Sequence, residues 1–457
     1  MRIVMGAQNC GFGPASELVA VSRLLPGSER VFVGSGVAAA FARRNPDAFD
    51  AVHETGGTRG RTGAAMIDGL LETGDQVVSV MDAELALRSV VARRPVVMVD
   101  SLFGFWRLTR PLARIRDLCA SMPRSSYAAA DRHLAALSPH ERIVAAHLLA
   151  THSVVQNFPG VPERAAEFAA LGSGPAIHLT GPIVDLEGLR NTPRDAEPEH
   201  DLLVNIGGFK NFLLDFDVNN DYLRLLHRWI PDLLRDWPRF PRVLVCGGPF
   251  GGRGERTVSV AGRRADCRLL RQRDLLRAVA STPGYLLAPG LTALHESVAL
   301  GRLPLGIHEQ HYAHVYTLRR LDGTLFGRNA GRFADVLPHH RVPEDDFAGT
   351  AALVEIAGRV REDDELYAAF RGTLNERIEH HLSLTPERRR HGVEELRGLL
   401  GGEPVHAVLT RILPPGTTGD GRRDPAPRKR PDRSAAAART APGARQSAEP
   451  PPYLETD

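Results

Sequence analysis

The stretch LLAPGLTALHESVALGRLPLGI, residues 286–307, carries the pattern from which the fold is read. An apolar run ends at Pro289-Gly290. A helical pattern then begins near Thr292, with Glu296 six residues after the glycine, and a second apolar run covers residues 303–307. Apolar run, glycine turn, helix and apolar run together read as one strand–helix–strand unit of a parallel sheet. A carboxylate in the first turns of such a helix stands at the carboxyl end of a strand, where open parallel sheets bind ligands.

The same rhythm extends upstream of this unit. DLLVNIGG (201–208), RVLVCGG (242–248), YLLAPG (285–290) and LPLGI (303–307) read as strands, with helices over 221–234, 274–282 and 292–301. The first half repeats it with RIVMGA, RVFVGSG, VVSVMD, PVVMVD, SVVQNF and AIHLTG, and with helices near 15–25, 63–71 and 141–149. The expected fold class is therefore α/β, two doubly wound Rossmann-like domains facing a cleft. The polar, proline-containing residues 186–201 read as a linker. Domains are expected at 1–185 and 202–413, with helical patterns between 347 and 400 closing the second. Residues 414–457 are rich in Pro, Ala, Arg and Gly, carry eight basic and six acidic residues, and offer no core. Truncation after Leu413 is accordingly expected to leave melting temperature and activity unchanged. A loss of several degrees on truncation would show that the tail docks.

Composition narrows the function classes. At 457 residues the chain exceeds one ordinary core, and no apolar run reaches the length of a membrane span. The opening MRIVMGA, with one arginine and a short apolar run, reads as a first strand and not as a secretory signal. Cys10, Cys119, Cys246 and Cys267 fit neither zinc nor disulfide spacing, which suits a reduced, cytoplasmic protein. The eighteen histidines are scattered and no metal site is expected. A net charge of +3, without a basic stripe interleaved with aromatics, argues against nucleic acid as a partner. Of 57 basic residues only Lys210 and Lys429 are lysines.

Four strand ends carry glycine. Gly11 and Gly13, with Ser16 at the start of the following helix, form a cleft loop suited to the acceptor side. The third glycine of a dinucleotide fingerprint is missing, and no acidic residue ends the next strand, so no such cofactor is expected. Gly207, Gly208 and Lys210 follow one strand; Gly247 and Gly248 follow another. Neither loop is a Walker sequence, yet both could turn backbone N–H groups towards a diphosphate. The plainer readings are strand-ending turns, a hairpin tip at 251–254 and a solvated lysine. Asp82 and Asp100 end strands and are the candidate bases, though each could instead cap the following helix.

The segment 288–307 with HEQHYAHVY behind it resembles the donor-binding segment of GT-B glycosyltransferases, most of all the group of the peptidoglycan N-acetylglucosaminyltransferase. Gly290, Glu296, Gly301, Pro304, Glu309 and Gln310 match its motif in order, with a shorter gap between Pro304 and Glu309. LTGPIV (179–184) resembles the segment at the domain junction, and GFGPASELVAVSRLL the first glycine loop. Pro14 and Ala15 stand where that family often has a histidine, so a histidine base is not carried over. The resemblance implies a UDP-sugar donor and no cofactor. Glu296 would hold the ribose, the 270–273 loop with Leu270 and Gln272 the uracil, Gly290 and Thr292 the diphosphate, and Glu309 and Gln310 the sugar hydroxyls. LLVNIGGFKN and the first fourteen residues are also similar to the cytosylglucuronic acid synthases of nucleoside-antibiotic pathways, which implies glucuronate as the sugar and cytosine or hydroxymethylcytosine as acceptor. A UDP-sugar epimerase of the same layout and a non-catalytic sugar-nucleotide-binding protein are the alternatives.

Overall fold

The computed structural model describes residues 1–56, 61–172, 174–185, 189–190, 198–207, 220–247 and 255–413. Gly208, Lys210, Gly248, the 251–254 tip, most of the expected linker and the whole tail from 414 lie outside the described residues.

The first sheet contains β1 (Arg2–Ala7), β2 (Glu29–Gly34), β3 (Ala51–Glu54), β4 (Gln76–Val80), β5 (Val96–Asp100), β6 (His152–Gln156) and β7 (Ala176–Thr180). They lie in the order β3-β2-β1-β4-β5-β6-β7, each pair parallel. Ile3, Val4, Met5 and Val96 to Val99 are buried, as continuous apolar strands require when helices cover both faces. Between β1 and β4 the strand order reverses, so the loops after these strands part and leave a crevice.

The second sheet contains β8 (Leu202–Asn205), β9 (Arg242–Cys246), β10 (Arg256–Val260), β11 (Arg263–Arg268), β12 (Gly284–Leu287) and β13 (Leu305–Gly306). Their order is β10-β11-β9-β8-β12-β13, parallel apart from the β10–β11 hairpin. That hairpin and β3 were not expected from the sequence. Its turn places Ala261 at φ +49 and Gly262 at φ +76, the left-handed pair that suits the twist of a two-residue hairpin. The two doubly wound sheets confirm the α/β fold class. No helix among the described residues is long and apolar enough to cross a membrane.

Two features set the domains against each other. The helix Gly13–Arg23 is buried from Pro14 to Arg23, because it packs on its own sheet and also meets the helix Leu291–Ala299 of the other domain. Arg23 inside it pairs with Asp185, which directly follows LTGPIV (179–184), and with Asp47 at 3.1 Å. The chain end also crosses back. Gly181 N–H and the Thr180 hydroxyl donate to the Glu403 carbonyl at 2.8 and 2.7 Å, and Asn157 donates to the Gly401 carbonyl at 2.5 Å. Residues 401–403 thus meet the Thr180 end of β7, the outermost strand of this sheet.

The crossing is tight. A Cβ on Gly402 would stand 2.7 Å from the Gly181 nitrogen and 2.9 Å from the Thr180 carbonyl carbon. Backbone cannot yield there cheaply, so Gly402→Ala is expected to destabilise the protein by about 1–3 kcal/mol. A lowered urea midpoint with unchanged slope is the expected reading. An unaltered midpoint would mean that the end of the chain is not held against the first sheet.

Candidate functional site

A cavity of about 190 Å³ lies where the carboxyl ends of the two sheets face each other. The first sheet supplies Cys10 to Pro14 and Ser16 after β1, Met81 after β4, and Ser101, Leu102 and Phe105 after β5. The second supplies Asn205 and Gly207 at the end of β8, Cys246 and Gly247 at β9, Leu269 and Leu270 after β11, and Ala288, Gly290 to Ala293 and Glu296 after β12. Phe12 and Phe41 pack with ring centroids 5.6 Å apart at one wall. Gly247, at φ +112, approaches so closely that a Cβ there would lie 2.5 Å from the Gly207 carbonyl oxygen. Only glycine lets these two strand ends meet.

The helix Leu291–Ala299 begins at Gly290, and no side chain caps its first N–H groups. Its N-terminus opens on the cavity and is suited to an anion. Glu296 is 2% exposed and lines the cavity. Its Oε1 accepts from the Ser16 hydroxyl at 3.1 Å and from Gln272 Nε2 at 2.9 Å. Gln272 Nε2 also reaches Ser16 Oγ at 2.5 Å, while its backbone N–H donates to Asn45 Oδ1 at 3.1 Å. Burial pushes the Glu296 carboxyl up to about 7, against the two hydrogen bonds, which favour the charged form. Beside it, the Thr292 hydroxyl donates to Glu17 Oε1 at 2.8 Å. Burial pushes Glu17 up to about 8, and the nearby Asp100 and Glu296 carboxylates add to the rise. Two acids from opposite domains therefore hold their protons to unusually high pH at the base of the cleft.

Gly11, Gly13, Ser16, Gly207, Gly247, Leu270, Gly290, Thr292 and Glu296 thus converge on one cavity, with Gln272 bonded to Glu296. Other expected residues are placed differently. Asp100 is fully enclosed: Leu102 N–H donates to it at 2.6 Å, Trp106 Nε1 at 2.5 Å, and His147 Nε2 lies at 2.9 Å. Asp82 caps the helix Ala83–Val91, accepting from Glu84 and Leu85 N–H at 3.1 and 3.0 Å. Neither lines the cavity, so the expectation that these carboxylates face the cleft as bases is corrected: their oxygens hold a loop and a helix end. Glu309 and Gln310 are also absent from the wall. Glu309 Oε2 accepts from Phe333 N–H at 2.9 Å, and the Gln310 amide is buried without a hydrogen-bond partner among the described residues.

The wall also holds residues that the sequence patterns did not single out, namely Phe12, Phe41, Phe105, His311, His314 and Asp346. The histidines had a signal. HEQHYAH spaces them three apart where a helix begins, and the structure puts His311 at the N-cap of Tyr312–Arg320 with His314 one turn on. Their ring centroids are 4.0 Å apart.

Known proteins add little beyond the layout. The chain matches no family model and no curated protein. Among solved structures, UGT2 of Phytolacca americana, complexed with UDP-2fluoro-glucose and pterostilbene, is 13% identical over 87% of this chain and 98% of that one, with a TM-score of 0.41. A UGT transferase of Siraitia grosvenorii in complex with UDP is 10% identical at the same coverages, with a TM-score of 0.40. A UDP-glucosyltransferase of Polygonum tinctorium is 15% identical, again over 87% and 98%, with a TM-score of 0.38. Likeness this distant does not bear on the activity of the chain.

Proposed function

We propose that the chain is a glycosyltransferase of the GT-B type that moves a sugar from a UDP-sugar to a small acceptor. One observation supports this most. A buried carboxylate, Glu296, stands beside an uncapped helix N-terminus in a cavity shared by the strand ends of two facing parallel sheets. The carboxylate is suited to accept two ribose hydroxyls, and the helix N-terminus to meet a diphosphate. During displacement at the anomeric carbon, charge builds on the departing diphosphate. Backbone N–H groups at Leu291 to Ala293 and at the Gly247 loop would stabilise that charge without reorganising. The apolar wall of Phe12, Phe41, Phe105 and Leu102 would take the acceptor.

The domains proposed are 1–185 for the acceptor and 202–413 for the donor. Glucuronate as the sugar and cytosine or hydroxymethylcytosine as the acceptor form the finer reading, supported by the sequence resemblance and by Lys210 as a cation for a sugar carboxylate. Lys210→Met is then expected to lower kcat/KM for UDP-glucuronate about tenfold or more, and to leave UDP-glucose nearly untouched. Equal loss on both donors would assign the lysine to the diphosphate and remove it from the case for glucuronate.

Incubation with UDP-glucose, UDP-N-acetylglucosamine and UDP-glucuronate, each with pyrimidine and phenol acceptors, tests the reading. UDP release that requires acceptor is the expected result. Exchange of sugar isomers without acceptor would point to an epimerase, and neither reaction to a binding protein.

A further inference from the structure

Asp82 and Asp100 are taken up by the fold, so the acceptor's proton must go to another group on the cavity wall. Glu17 is held by the Thr292 hydroxyl and does not line the cavity. Among the described residues, the titratable side chains that do line it, besides Cys10, Cys246 and Glu296, are His311, His314 and Asp346.

These three are distinguished by their partners. The His314 Nδ1 accepts from the Gln310 backbone N–H at 3.2 Å, so that ring carries its proton on Nε2 and presents a donor. That nitrogen lies 3.7 Å from where a Cβ on Gly290 would stand, at the helix N-terminus. His311 has no such backbone donor. Its Nδ1 is buried without a hydrogen-bond partner among the described residues, and the charge that acts on it is the Asp346 carboxylate. Asp346 is itself oriented from the opposite domain. Arg107 N–H donates to His140 Nδ1 at 3.2 Å, which leaves the proton of that ring on Nε2, and Nε2 stands 3.2 Å from Asp346 Oδ2. His140 and Asp346 are both buried. Bringing the two domains together therefore fixes Asp346, through His140, on the cavity wall that also holds His311, Phe105 and Leu102.

Resting on the UDP-sugar reading, we propose that His311 is the catalytic base of the transfer, with Asp346 and His140 as the residues that position and support it. In the step, the acceptor oxygen or nitrogen forms a bond to the anomeric carbon. The bond from that carbon to the diphosphate oxygen breaks, and its electron pair leaves with UDP. The acceptor proton passes to the His311 imidazole. The imidazolium is then paired with the Asp346 carboxylate until the proton is lost to water. Burial lowers the His311 imidazole to about 4, which keeps the free ring neutral but weakens it as a base; the Asp346 carboxylate acts the other way, by favouring the imidazolium. Donor binding involves Glu296 and the helix N-terminus and does not need the base.

The test uses the full chain, UDP-glucose and UDP-glucuronate as donors, and 4-nitrophenol, phenol and cytosine as acceptors. His311→Gln is expected to lower kcat about 10²- to 10⁴-fold for phenol, with UDP affinity by calorimetry within about twofold of wild type. The loss for 4-nitrophenol, a much stronger acid than phenol and about half ionised at neutral pH, is expected to be much smaller. Asp346→Asn should show the same acceptor dependence with a smaller loss, and serves as the second variant if His311→Gln does not fold. Undiminished turnover with phenol, or the same loss for phenol and 4-nitrophenol, would overturn the assignment. Failure of the wild type to bind UDP at all would instead strike the donor reading on which the assignment rests.

Discussion

Glu296→Ala is expected to weaken UDP and UDP-glucose binding together, about 10- to 150-fold. A hydrogen bond to a charged partner contributes roughly 1.5–3 kcal/mol, which sets that range. Removing the side chain leaves Ser16 and Gln272 still bonded to each other at 2.5 Å, so the fold should survive. A pH signature accompanies the loss. The Glu296 carboxyl is held up to about 7, and ribose hydroxyls donate best to the ionised form. Wild-type affinity for UDP-glucose, whose diphosphate has no proton to lose near neutrality, should therefore rise as pH passes upward through about 7. The alanine variant should lack that rise. Equal affinity of variant and wild type by calorimetry would sink the ribose assignment.

Glu17→Gln is expected to change how stability depends on pH. In the unfolded chain this carboxyl titrates at the ordinary 4.5, and in the folded protein at about 8. The native state thus binds the proton more tightly, and stability falls as pH rises from about 4.5 to about 8. The accumulated loss from this one group is on the order of 5 kcal/mol, because each tenfold change in proton affinity corresponds to about 1.4 kcal/mol. Glutamine copies the shape of the protonated acid and cannot ionise. The variant should resemble wild type near pH 4.5 and grow progressively more stable than it up to pH 8, with the gap constant above. Urea unfolding at pH 5, 7 and 9 reads this directly. Parallel pH profiles for the two proteins would show that Glu17 is not a buried acid. Glu296 acts in the same sense between about 4.5 and 7, and remains in both proteins.

Where an element is buried on both faces, its sequence announces it. RIVMGA, VVSVMD and PVVMVD are continuous apolar runs because helices shield them from water, and all three became central parallel strands. The missed strands lie at the margins. AVHE of β3 carries a histidine and a glutamate in four residues, and RTVSV of β10 is largely polar, since an edge strand can leave its side chains in water; RRADCR of β11 lies one strand in, but its three arginines break the apolar run. Glu296 was legible for a local reason: its distance from Gly290 fixes its place at the strand end. Asp100 was misjudged because strand position shows where a carboxylate starts but not what encloses it, here Trp106 and His147 from six and 47 residues on. Glu17 and Asp346 could not have been found locally. Glu17 occupies one position in a helix that would normally show one face to water, and here it is enclosed with Ser101 and Asp100 of its own domain and Thr292 and Glu296 of the other. His140 and Asp346 are 206 residues apart, and their meeting depends on how the domains close.

The central claim is transfer from a UDP-sugar, and mass spectrometry of the acceptor tests it most directly. Wild-type protein incubated with UDP-sugars and the pyrimidine and phenol panel should yield an acceptor heavier by one sugar residue for each UDP released, with the yield much reduced in Glu296→Ala. Intact UDP-sugars and unmodified acceptors across the panel, from folded protein, would contradict the account.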